Sequence, residues 1–136
     1  MATMSGFVLT ALIAWALLLL VWMETLRAWL VMRGRVAPDG FTPGNDGLSP
    51  FMQRLARAHA NCLEGLPIFG GLLLVALVTG RPEVTDTLAP ALLAARLMQS
   101  AVHLWSTSIP AINVRFAAFS VQMVIGAVWA WRLLLG

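Results

Sequence analysis

Four apolar runs separated by short polar stretches dominate the pattern of the chain. The first extends from about Gly6 to Met32. The second opens at LSPF, where Ser49 suits an N-cap and Pro50 the first helical position, and continues to about residue 79 before Gly80, Arg81 and Pro82 stop it. The third opens at Asp86 or Thr87 and runs to about Thr107, and the fourth follows Pro110 and Asn113 through residues 111–135. Crossing a hydrocarbon core of about 30 Å takes about 20 helical residues. Each run therefore predicts a transmembrane helix, and the whole predicts an all-α integral membrane protein with one domain over residues 1–136. The linker GRVAPDGFTPGNDGLS is rich in Gly and Pro and reads as a loop.

Polar positions interrupt these runs at helical spacing. On the second helix Arg54, Arg57, Asn61 and Glu64 are spaced three, four and three, which places them on one face. The third helix repeats the spacing with Arg96, Gln99, His103 and Ser106. At a rise of about 1.5 Å per residue, Glu64 and Arg96 both lie roughly 15 to 20 Å deep, so the two are expected to be able to meet. Glu24 and Arg27 form a charged pair near the end of the first helix, and Arg115 opens the fourth. Ionisable groups inside a membrane cost about 2.5 to 3.5 kcal/mol each on insertion scales and by default mark a functional site. The structural alternative is a polar core in which Arg54 and Arg57 snorkel to the headgroups while Glu64 and Arg96 neutralise each other. Five arginines (27, 54, 57, 96 and 115) against Glu24 and Glu64 leave an excess of positive charge. A structural core has no reason to carry that excess, whereas an anionic ligand would neutralise it.

Composition agrees with this reading: 60% of the 136 residues are hydrophobic and 11% charged, against about 25% charged in soluble domains. All nine basic residues are arginine, dispersed among apolar segments, which argues against nucleic-acid binding. The N-terminal run lacks a basic leader and a small-residue cleavage site and reads as a retained helix. Arg27, Arg33, Arg35, Arg54, Arg57 and Arg115 flank the first and third loops, against Arg81 and Arg132 on the other side. The positive-inside rule then puts both termini outside and the polar stripes toward the cytoplasm. Of the six tryptophans, Trp15 and Trp22 lie too deep for interfacial anchors and read as packing or lipid contacts.

The stretch FMQRLARAHANCLEGLP resembles the second-helix signature of the MAPEG superfamily, the membrane-associated proteins in eicosanoid and glutathione metabolism, and within it the microsomal glutathione transferases. Phe51, Arg54, Arg57, Asn61, Cys62, Glu64 and Pro67 stand at the positions of that signature. The third-helix segment ARLMQSAVHLW is similar to the family's Arg-x-x-(His/Gln)-x-x-x-(Tyr/His) pattern through Arg96, Gln99 and His103. The resemblance implies a homotrimer of left-handed four-helix bundles with glutathione folded between protomers. It assigns the tripeptide to the second-helix Arg, Asn and Glu and the thiolate to an Arg at the start of the fourth helix, for which Arg115 is the candidate. The chain departs from many relatives in having no tyrosine: His103 and Gly65 stand where they carry one. Any tyrosine-assisted step is thereby excluded.

Glutathione presents two carboxylates, one ammonium and a thiol. Arginine supplies planar bidentate donors for carboxylates, which suits Arg54, Arg57, Arg96 and Arg27. Glu64 suits the ammonium or an amide, and Asn61, Gln99 and His103 the remaining polar groups. Lowering a thiol pKa from about 8.5 to about 7 is worth roughly 2 kcal/mol. One arginine at about 4 Å supplies up to roughly 4 kcal/mol at an effective dielectric of 20. The predicted function is a membrane-bound glutathione transferase or peroxidase whose arginine-held thiolate attacks a hydrophobic electrophile or lipid hydroperoxide. The alternatives are a non-enzymatic lipid-binding or scaffold member of the same family and, last, a small transport protein. Cys62 reads as a packing residue, His59 lies off the stripe, and no histidine or cysteine spacing suits a metal. Pro67 is expected to kink the second helix, and Gly70 and Gly71 to permit close helix packing.

Overall fold

The structure, a computed structural model, describes residues 3–136. It is all-helical, with no strand among the described residues. Helix α1 (Met4–Met32) begins where the Thr3 side chain accepts a hydrogen bond from the Gly6 amide. Helix α2 (Pro50–Gly65) begins where Ser49 accepts from Met52, with Pro50 at a position whose missing N–H has no partner to lose. A π-helical turn (Leu66–Gly70) and α3 (Gly71–Val78) continue the same rod. The π-turn has a local cause. Pro67 has no N–H for the Leu63 carbonyl, and its ring crowds that turn, so the chain widens instead of breaking.

A four-residue helix α4 (Glu83–Asp86) precedes α5 (Ala89–Trp105). The expected third helix thus starts later than Asp86 or Thr87, because Pro90 has no N–H to donate to the Asp86 carbonyl. Helix α6 (Ile109–Leu135) begins at Ser108, which accepts from Ala111, so Pro110 and Asn113 lie inside its first turns. Three rods, Met4–Met32, Pro50–Val78 and Ile109–Leu135, are long and apolar enough to cross a membrane. At 17 residues, α5 measures about 25 Å by itself. Leu17, Leu18, Val21, Phe116 and Val124 are among many large apolar side chains on the outer surface. Such a surface suits lipid, not water.

Long-range hydrogen bonds fix the up-and-down order. At one end, the Ser5 amide and hydroxyl both donate to the Asp86 carboxylate, at 2.8 and 2.6 Å. At the same end Arg81 donates to the carbonyls of Arg132 and Leu133 in the last turn of α6. At the other end Arg54 Nε donates to the Leu104 carbonyl, tying the start of α2 to the end of α5. Two apolar clusters fill the bundle. One gathers Val8, Leu12, Phe69, Leu73, Leu92, Ile125 and Trp129, and the other Leu19, Met23, Leu55, Ala58 and Cys62. Gly70 serves close packing, since a side chain there would press on Leu9, whereas Gly71 faces open space and does not.

Candidate functional site

Helix α2 turns Arg57, Asn61 and Glu64 toward one opening, and His103 from α5 and Arg115 from α6 complete its wall. The pocket so formed has a volume of about 330 Å³. Arg57 and Glu64 are exposed, Asn61 and Arg115 half-buried, and His103 only 4% exposed. Neither arginine is paired with a carboxylate; among the described residues the one ion pair is Glu24 with Arg27, at 2.9 Å. Two nitrogens are buried and lack any partner among the protein's own atoms, His103 Nδ1 and Arg115 Nε. Buried polar groups are normally satisfied. Here they supply unused hydrogen-bonding capacity beside two free guanidinium groups and one carboxylate.

The other candidate residues lie elsewhere. Arg27 is spent on the first loop: Nε and a terminal nitrogen donate to Asn45 Oδ1 at 2.9 and 2.7 Å, and the same terminal nitrogen to the Thr42 carbonyl. Asn45 is fully buried, adopts φ 56°, and in turn donates to the Met52 carbonyl. Arg54 packs over the Phe51 ring while holding Leu104. Arg96 turns into the bundle, donates to the Asn61 carbonyl at 3.2 Å and lies against Gly65, where any β-carbon would collide with its guanidinium. Gln99 is buried and accepts from Gln122 at 2.8 Å. Glu64 and Arg96 therefore do not meet. Equal depth does not imply equal direction: Glu64 faces outward from α2, and Arg96 enters behind it on the inner side.

Beside the polar pocket runs a larger, mostly apolar groove of about 810 Å³ between the π-turn and α6. Pro67, Phe69, Leu72, Phe119 and Met123 line it, and Glu64 belongs to both cavities. The two cavities thus adjoin at Glu64. Three participants escape a reading of the stripes alone. Ser100 sits 3.3 Å from the Cys62 sulfur, Gln122 is fully buried opposite Gln99, and Asn45 organises the loop. Gln122 carries a visible signal, a carboxamide in the middle of the apolar run of the fourth span. Asn45 carries none, being one polar residue in a polar loop.

A family model described as MAPEG family matches residues 6–135. No curated protein and no solved structure matches the chain.

Proposed function

The chain belongs to the MAPEG family, and on that premise we propose that it is a membrane-bound glutathione transferase with peroxidase capability. The observation that carries this reading is the charge inventory of one open pocket. Arg57, Arg115 and Glu64 complement a carboxylate, the thiolate and the ammonium of glutathione. Arg57 takes a carboxylate through a planar fork, Glu64 the ammonium, and Asn61 the peptide groups. Arg115 faces the thiolate, to which its unpartnered Nε is available. In transfer to an aryl halide the thiolate sulfur bonds the ring carbon and halide departs with the electron pair. The apolar groove sharing Glu64 delivers that electrophile from the bilayer.

The assembly proposed is a homotrimer of four-span subunits, α4 and α5 together making the third crossing. The open pocket is then closed by a neighbouring protomer, and the termini lie outside with the pocket toward the cytoplasm. The unpaired positive charge of Arg57 and Arg115 at the open rim supports this arrangement. A lipid-binding role without catalysis is the second reading, favoured by the apolar groove being more than twice the volume of the polar pocket. Purified protein is expected to conjugate glutathione to 1-chloro-2,4-dinitrobenzene and to run as a trimer by native mass spectrometry in detergent. Tight glutathione binding with no turnover on aryl halides or hydroperoxides would leave the second reading standing.

A further inference from the structure

Inside the bundle lies a third, much smaller cavity, lined by residues of α1, the second rod, α5 and α6 and including Trp15, Cys62, Gly65, Arg96 and Gln122. Three of these residues bear buried polar atoms that find no partner in the protein: Trp15 Nε1, Arg96 Nη2 and Gln122 Oε1. They belong to α1, α5 and α6 respectively. Three orphans around one cavity are not independent accidents, since each costs about 1 to 3 kcal/mol if left unmade. We propose that this cavity is a binding site for one ordered water molecule that joins the rods through these atoms.

The valences match. Trp15 and Arg96 can only donate, and a water oxygen accepts two hydrogen bonds. Gln122 Oε1 can only accept. Its carboxamide is oriented, because Nε2 donates to Gln99 Oε1 at 2.8 Å and to the Ala118 carbonyl at 3.1 Å. One water hydrogen therefore goes to Gln122, and the other is free for the Cys62 sulfur or the cavity wall. Size agrees as well: the cavity leaves about 10 Å³ for the centre of a water molecule, close to the room one water needs. A chloride ion is the natural rival beside a buried arginine, but it is larger and would face the Gln122 carbonyl oxygen with no proton to offer. Arg96 also donates to the Asn61 carbonyl, so α2 joins the junction, and the water completes a polar tie among all four rods. This inference stands apart from the proposed function, since none of its three orphan atoms belongs to the open pocket.

The test has a direct and an indirect arm on the full chain in lipid nanodiscs or detergent. A density map that resolves waters should show one peak within hydrogen-bond distance of Trp15 Nε1, Arg96 Nη2 and Gln122 Oε1. A dry cavity, or an anomalous bromide peak there after exchange of chloride for bromide, overturns the proposal. In the indirect arm, Trp15→Phe should lower the thermal midpoint by several degrees in the native background. In a Gln122→Met background, where the thioether fills the cavity, the same change should lower it much less. Equal drops in both backgrounds would mean lost indole packing alone and overturn the proposal. Should Gln122→Met fail to fold, the density decides.

Discussion

Two polar clusters hang from the same pair of helices and behave oppositely. On α2 the outward residues Arg57, Asn61 and Glu64 are each followed by an inward one, Ala58, Cys62 and Gly65. One residue turns the helix by about 100°, so a single step separates an open, charged face from a closed one built of small side chains. The small face is what lets Arg96 reach in from α5. Once inside, Arg96 is only 4% exposed and is held by a backbone carbonyl. The outer face, with Arg115 from α6 beside it, keeps two guanidinium groups and a carboxylate without partners from the protein. A buried charge must be compensated where it sits, while an exposed one is free to wait for a ligand. On the proposed function, the inner cluster serves stability and the outer one ligand chemistry.

The sharpest way to break this division is Gly65→Tyr, which places a side chain where relatives carry a tyrosine. Its β-carbon would displace the Arg96 guanidinium, and seating the whole phenol in this closed face is expected to cost up to about 3 kcal/mol of stability. The double variant Gly65→Tyr with Arg96→Ala should recover part of that loss in a thermal melt. A smaller effect of opposite kind is expected for Glu64→Gln, which should weaken glutathione binding by about 1.5 to 3 kcal/mol in calorimetry. Its melting midpoint should stay near that of the native chain, as for other exposed positions. Arg115→Ala should raise the pKa of bound glutathione by about one unit, or about 1.4 kcal/mol, read from thiolate absorbance against pH. An unchanged midpoint with glutathione still bound would remove Arg115 from the chemistry. The smallest effect is expected for Cys62→Ala, about 1 kcal/mol of stability from a lost sulfur contact with Ser100. Turnover per folded molecule should not change, since the thiol lies on the inner side.

The all-helical fold is legible in the chain because hydropathy and capping are local properties. Ser49 with Pro50, and the stripe Arg57, Asn61 and Glu64, need only helical geometry to be read. The start of α5 is less legible, since Pro90 acts on the turn before it and moves the start of the expected helix to Ala89. The Glu64 and Arg96 pairing is misread for a deeper reason. Periodicity gives each helix a polar face but not the direction in which that face points once the helices pack. Arg27 illustrates the same limit. Its sequence neighbours offer only Glu24, whereas the partner of its shortest hydrogen bond, Asn45, lies 18 positions away in a loop without periodic signal.

The clasp between Ser5 and Asp86 sets a schedule for synthesis. Its two members are 81 positions apart, so the amino end of α1 emerges long before its acceptor exists. At roughly 5 to 20 residues per second, the ribosome takes several seconds to deliver Asp86. During that interval the start of the first rod lacks this tether. The amino end of α1 is therefore fastened by this clasp only after the whole second rod has been made, although Arg27 near its other end already has its partners in the first loop.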